Sequence, residues 1–266
     1  MRKSNIVYGI ALSLICFCPV SPAVSQMITP LAQAHSHNDY EQPHPLWDAY
    51  RQGFTFVEAD IHLKNGVLYV AHDSATVNSP TLTKLYLAPI DSLLRSNKNI
   101  IYPGHPSTFF LMIDIKTDAS ATYGALVKEL KSYPALLCKS ASCPIKVFLS
   151  GNRPLSILHD PYRGIAIDGR PSDLGKHYTE QSMPVISDSY ANWSIDSNAN
   201  PDSITLVKIK RLATAVHADG KKLRLWAIPD NKETWLLLLH AGVDIINTDH
   251  LAQFQSFLSG YSRTNK

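Results

Sequence analysis

Glu58 and Asp60 stand two residues apart in the apolar stretch 54–61, and on a β-strand that spacing turns both carboxylates to one face. Placed together among Phe54, Phe56 and Val57 they repel each other and lose hydration, a cost that a shared cation removes. Asp114, near the end of a second apolar run at 109–115, supplies a third oxygen donor. Three carboxylates make a hard donor set, suited to Mg2+ or Ca2+ with water completing the shell, whereas zinc prefers nitrogen or sulfur. The competing reading is a surface-facing pair bridged by Lys or Arg. His62 continues the spacing of Glu58 and Asp60, as a fourth ligand or as part of the lining.

Two histidines end apolar runs: His35 after 31–34, and His72 after the run that begins at Val67, with Asn38 and Asp73 close behind. An imidazole titrates near neutrality and can take a proton in one step and return it in the next. His37 rivals His35 for that role. Seven further histidines, His44, His105, His159, His177, His217, His240 and His250, fall in loops, helices or surface positions with no constellation around them. Lys116 follows Asp114 by two residues. Trp226 alternates with Arg224 in the run 223–228 and provides either an apolar wall for a ligand or core packing. Asp249, just ahead of Leu251, reads as the cap of a last helix.

The elements that must carry these residues follow from hydrophobic periodicity. Buried strands are expected at 31–34, 54–61, 67–71, 109–115, 145–149, 164–167, 183–186, 223–228 and 243–247, and helices at 45–52, 82–94, 123–133, 204–218, 232–241 and 251–258. Strands alternating with helices imply parallel pairing, and eight or nine of them in about 240 residues suit a single-domain (β/α)8 barrel. Asn65-Gly66 between two apolar runs is a hairpin signal rather than a helical crossover. A doubly wound sheet is the competing architecture, with no glycine-rich phosphate loop to support it. In a barrel the strand C-termini form one mouth, where the ionisable residues of four segments would converge.

Composition narrows the function classes. The chain has 266 residues, 45% of them hydrophobic and 18% charged, with 4 cysteines, which fits a packed globular domain and excludes a disordered chain or a disulfide scaffold. Arg2 and Lys3, an apolar run over 6–20 and the small residues Ala23-Val24-Ser25 read as a secretory signal peptide over 1–25, leaving a domain at 26–266. The apolar run is shorter than a membrane span needs. Without Arg2 and Lys3 the chain keeps 23 basic against 22 acidic residues, so a nucleic-acid partner is not expected. Cys138 and Cys143 in an exported protein read as a small disulfide. A bacterial periplasmic or secreted monomer, with at most peripheral membrane contact, is the expected setting.

Taken in order, Ala34-His35-Ser36-His37-Asn38-Asp39-Tyr40, Glu58-Ala59-Asp60, Ala71-His72-Asp73, Ile113-Asp114-Ile115-Lys116, Leu225-Trp226-Ala227-Ile228 and Gly242-Val243-Asp244-Ile245-Ile246-Asn247-Thr248-Asp249 resemble the blocks of the glycerophosphodiester phosphodiesterase and phosphatidylinositol-specific phospholipase C superfamily. The His-Ser-His-Asn-Asp-Tyr opening, with Pro45-Leu46 and Thr83-Lys84-Leu85-Tyr86-Leu87, looks most like the branch called altered inheritance of mitochondria protein 6. The resemblance implies a distorted TIM barrel and a divalent cation on Glu58, Asp60 and Asp114. It further implies an acid/base pair of His35 and His72, with Lys116 and Trp226 on the substrate and His37 and Asn38 beside it. It departs from the wider pattern where His35-Ser36-His37 replaces His-Arg-Gly, losing an Arg, and where Asp114 replaces Glu. The activity implied is metal-dependent cleavage of a glycerophosphodiester or phospholipid-type diester through a cyclic phosphate. The alternative is an inert envelope barrel that binds a phosphorylated ligand or glycan.

Overall fold

A computed structural model describes residues 27–137, 143–159, 164–196 and 202–264. The expected signal peptide at 1–25 lies outside the described residues, as does Cys138; Cys143 is disulfide-bonded. The strands are β1 (Leu31–Ser36), β2 (Phe54–Lys64), β3 (Val67–Val70), β4 (Phe109–Ile115), β5 (Ile145–Gly151), β6 (Ile165–Gly169), β7 (Val185–Ser189), β8 (Lys222–Trp226) and β9 (Ile245–Thr248). Eight of them pair in parallel in the order β1-β2-β4-β5-β6-β7-β8-β9, and β9 returns to β1, so the sheet closes into the expected barrel. β3 is antiparallel to β2 and stands outside that ring.

The helices are α1 (Trp47–Arg51), α2 (Ala88–Ser96), α3 (Ala119–Leu130), α4 (Ser203–Ala218), α5 (Lys232–Ala241) and α6 (Leu251–Thr264). Local chemistry starts three of them: Asp118, Asp202 and Asn231 each accept from the backbone N–H three residues on, which satisfies a donor the helix leaves over. α2 is preceded by one π-helical turn, Thr83–Leu87. Pro89 in the first turn of α2 explains it, since it has no N–H and its ring crowds the carbonyl four residues back. The connections after β5 and β6 contain 3-10 turns at Leu155–His159 and Pro171–Asp173 instead of α-helices. Pro154, Pro171 and Gly175 lie in these connections and disfavour helix there.

Alternation along the strands builds the interior in layers. Phe56, Phe110, Met112, Phe148, Ala166, Val185 and Ile245 fill the lower part, with the Phe56 and Phe110 rings 4.2 Å apart and nearly parallel. Two residues further along each strand the interior turns polar: Glu58, Asp114, Ser150, Asp168, Ser187 and Asn247 follow the apolar layer toward the strand C-termini. A second core lies between strands and helices, where Trp235 packs edge-on against Phe254 at 4.9 Å. Burying a side chain of that size contributes about 1.5–3 kcal/mol.

Two local features deliver residues to the mouth. Asn65 and Gly66 have φ of 52° and 79°, the paired left-handed conformation of a tight hairpin. The hairpin returns the chain along β2 until the Ala71 N–H bonds the Asp60 carbonyl, which sets His72 beside the carboxylates. The loop after β1 is held by Asp39, fully buried. Its carboxylate accepts from Ser36 Oγ at 2.7 Å, Tyr86 OH at 2.9 Å and the Leu46 N–H. Leu46, itself buried, has φ of 65°, a strained conformation for a branched side chain. Asp39 therefore pins the segment that presents His37 and Asn38.

Burial raises the Asp39 pKa to about 6, against the pull of its three donors. Its folded value lies above the unfolded one, so its favourable contribution is complete below the unfolded pKa and is lost as pH rises through about 6. Asp39→Asn, which turns an amide against a donor, is expected to destabilise the fold by about 1–3 kcal/mol. That loss should be larger at pH 5 than at pH 7 when both proteins are unfolded in urea. A difference independent of pH would remove Asp39 as a titrating tether.

Candidate active site at the mouth of the barrel

A cavity of about 420 Å3 opens at the strand C-termini, lined among others by His37, Glu58, Asp60, His72, Asp114 and Lys116. Glu58, Asp60 and Asp114 each offer an oxygen, all within 4.8 Å of one another. The first two are buried and Asp114 is half-buried. Asp60 Oδ1 is buried with no hydrogen-bond partner. A buried carboxylate oxygen without a partner, inside an all-oxygen cluster, is what a hard divalent cation would complete.

Two basic groups balance the cluster. Arg224 is buried and donates from NH2 to Glu58 Oε2 at 3.3 Å and from Nε to Asn247 Oδ1 at 3.0 Å. Burial works against a charge on Glu58, but Arg224 and His35 outweigh it and hold the carboxyl at about 2. Asp60 goes the other way, raised to about 6 by burial and the charge of Glu58 despite Lys116. Burial also raises Asp114. Lys116 Nζ lies 3.0 Å from Asp60 Oδ2 and 3.2 Å from Asp114 Oδ1.

The two candidates for the first histidine separate cleanly. His35 is fully buried, its Nε2 is 3.1 Å from Glu58 Oε2 and its Nδ1 is sealed without a partner. Burial lowers its pKa to about 4, and it lies stacked on Phe56 beneath the cavity rather than in its lining. His35 thus contacts Glu58 and lies outside the cavity lining. His37 lines the cavity, and its Nδ1 is 2.9 Å from Asp249 Oδ1. Burial pulls the His37 pKa down, but Asp249 and Glu58 more than offset this and raise it. His72 is half-exposed, with Nδ1 2.8 Å from Asp73 Oδ1.

Asn38, with φ of 43°, and Trp226, 40% exposed, also line the cavity. The Asn38 amide oxygen and Asp60 Oδ2 both lie within hydrogen-bond reach of Tyr40 OH, at 3.0 and 2.9 Å. His62 neither joins the carboxylates nor lines the cavity; its Nε2 is 3.3 Å from the His72 carbonyl. Asp249, expected to cap α6, turns its carboxylate to His37 instead, and its N–H is held by Asp230. Sequence reading gave no role to Arg224, Asp230 or Arg170. The signal for Arg224 was present, as a charged residue at inward parity in an apolar strand.

Comparisons with known proteins place the chain by family and fold. The sequence model of the AIM6-like phosphodiesterase domain matches residues 23–160, and that of the glycerophosphoryl diester phosphodiesterase family matches 222–252. Altered inheritance of mitochondria protein 6 of Eremothecium gossypii is 30% identical over 85% of this chain and 69% of its own. A homolog from Arthroderma benhamiae is 28% identical over 85% and 83%. Among solved structures, a glycerophosphodiester phosphodiesterase from Parabacteroides distasonis covers 88% of this chain and 99% of its own with a TM-score of 0.58 at 16% identity. One from Agrobacterium tumefaciens covers 86% and 100% with 0.51 at 14%. The fold is thus that of the glycerophosphodiester phosphodiesterase barrels. Within them, the chain belongs to the AIM6-like phosphodiesterase domain family.

Gly151 protects the carboxylate cluster. A Cβ there would lie 2.2 Å from Asp114 Oδ1 and 2.6 Å from the Ile115 carbonyl, at a φ of 66°. Gly151→Ala is expected to push Asp114 out of the cluster and weaken Mg2+ or Ca2+ binding by at least about tenfold. Calorimetric titration of the metal-free protein checks this, and unchanged affinity would show that Asp114 is not a ligand.

Proposed function

We propose that this protein is a phosphodiesterase that holds one divalent cation on Glu58, Asp60 and Asp114 and uses His37 and His72 as its acid/base pair. The observation that carries the reading is the matched pairing of the two imidazoles. Each has Nδ1 held by a carboxylate, Asp249 or Asp73, which leaves Nε2 for the cavity that the carboxylate cluster lines. An imidazole oriented this way has its tautomer fixed and its other nitrogen free to move a proton.

Mg2+ or Ca2+ bound there would supply positive charge to the non-bridging oxygens of a phosphodiester. The chain's own groups do the rest. One imidazole takes the proton of a hydroxyl next to the ester, that oxygen attacks phosphorus, and the other imidazole protonates the leaving oxygen. A cyclic phosphate results, and water opens it with the two roles reversed. The raised pKa of His37 suits it to the acid role in the first step. Lys116, released from its carboxylates by the cation, would neutralise the phosphoryl charge. Trp226 with Ala227 and Ile228 offers an apolar wall to the alcohol portion. The substrate is read as a glycerophosphodiester or a phospholipid-type diester.

Export belongs to the same reading. The basic start, apolar run and small residues over 1–25 are supported by the disulfide at Cys143, since such bonds persist in oxidising compartments. The described residues contain no helix long and apolar enough to cross a membrane.

Incubation with glycerophosphodiesters, phosphatidylinositol and lysophospholipids, followed by phosphorus NMR, should give a product that requires Mg2+ or Ca2+ and disappears with chelator. Activity that survives chelation contradicts the metal assignment. His37→Gln and His72→Gln should each lower kcat by about 10²–10⁴. His35→Gln, which keeps a donor toward Glu58, should stay within about tenfold of the parent. The reverse ranking of His35 and His37 would move the acid/base role back to His35.

A further inference from the structure

We propose that Arg170 and Arg153 form a second oxyanion-binding site at the same mouth, so that the substrate is a phosphodiester carrying an additional anionic group. The identity of the substrate rests on the phosphodiesterase reading; the anion site rests on geometry alone.

In the closed barrel, β6 stands diametrically across from β1, with three strands between them on either side. A phosphodiester at His37 and the carboxylates would therefore extend toward β6. There Asp168, fully buried, accepts through Oδ2 from Ser150 Oγ at 2.9 Å, Ser187 Oγ at 2.5 Å and Arg170 NH1 at 2.9 Å. The same Arg170 nitrogen donates to the Gly169 carbonyl and to Ser187 Oγ. Every hydrogen bond of this guanidinium thus comes from NH1. Nε and NH2 make none among the described residues, and Arg170 lines the cavity. The fork is fixed at one end and open at the other, the geometry for paired contacts to a phosphate or carboxylate.

Arg153 lies just beyond. Gly151 lines both the cavity and an adjoining groove formed with Thr117, Asn152 and Arg153. Among the described residues the Arg153 side chain has no ion-pair or hydrogen-bond partner, and its Nε is buried. A buried guanidinium nitrogen left unpaired costs on the order of 1–3 kcal/mol or more, which an anionic ligand would recover. Burial and the charge of Arg170 both lower the Arg153 pKa, with Asp168, Asp173 and Asp114 opposing them, so the two guanidiniums share one field. Of the cations on the carboxylate side, Arg224 is committed to Glu58 and Asn247, and Lys116, on Asp60 and Asp114, is the one assigned to the phosphodiester itself.

The test has two arms. In the first, inorganic phosphate is titrated into metal-free protein. Arg153→Gln, whose parent side chain supports no other residue, and Arg170→Lys, which keeps a positive charge for Asp168, should each weaken binding by about tenfold. Affinity unchanged in both variants overturns the proposal, as does binding that is lost only in Lys116→Gln. In the second arm, KM is compared within matched pairs in the presence of metal: glycerophosphoinositol against its 4-phosphate, and glycerophosphoethanolamine against glycerophosphoserine. A KM about tenfold lower for the more anionic member, with the ratio moving toward one in Arg153→Gln, supports the site. The first pair reports a phosphomonoester and the second a carboxylate. Turnover with equal KM in both pairs overturns the second-anion substrate and leaves the phosphodiesterase reading standing. No turnover in either pair fails the phosphodiesterase reading, and the phosphate titration then decides the anion site alone.

Discussion

Like-charge repulsion inside the barrel is the constraint around which the rest of the mouth is arranged. Three carboxylates, from two adjacent strands, bring oxygens within 4.8 Å of one another above an apolar layer. At an effective dielectric of about 20, a pair of unit charges at that separation repels by roughly 3–4 kcal/mol. The chain relieves this unevenly. Arg224 and His35 secure Glu58 as a carboxylate, while burial and the charge of Glu58 push Asp60 up to about 6. Lys116 bridges Asp60 and Asp114. A divalent cation on these three carboxylates, as proposed, would replace the Lys116 bridge and leave that ammonium for substrate.

The surrounding fold serves this arrangement at several levels. The Asn65-Gly66 hairpin adds β3 ahead of the α2 crossover and carries His72 to the rim. The tether at Asp39 sets the opposite loop, with a π-helical turn placing Tyr86 to complete it. Gly151 keeps the space that Asp114 occupies. Asp230 holds the Asp249 backbone, and Asp249 orients His37. His37 is supported from the end of β9 through Asp249, whereas His72 shares the support of β2 with Glu58 and Asp60 through the Ala71–Asp60 backbone bond.

Much of this was legible before any coordinates. Apolar runs broken by turns located all nine strands, because parallel strands buried on both faces read as continuous hydrophobic stretches. Glu58, Asp60 and Asp114 stood out because carboxylates at inward parity in such a stretch repel and lose hydration, although spacing alone left a Lys- or Arg-bridged surface pair open. Arg224 and Asp168 went unread, because their partners Glu58, Asn247, Ser150 and Ser187 lie on other strands far away in sequence. The choice between His35 and His37 was not legible. They stand two residues apart, His35 in β1 and His37 just past its end, and the height of the Phe56 layer decides which is sealed and which meets the cavity. Asp249 looked like a helix cap because spacing cannot show that its carboxylate crosses to a loop 212 residues away.

Crystals grown with Mn2+ in place of Mg2+, examined by anomalous diffraction, test the central claim most directly. The account predicts one peak among Glu58, Asp60 and Asp114, with Lys116 Nζ withdrawn from Asp60 and Asp114. A mouth that stays metal-free with the Lys116 bridge intact, at Mn2+ concentrations that support turnover, would contradict it.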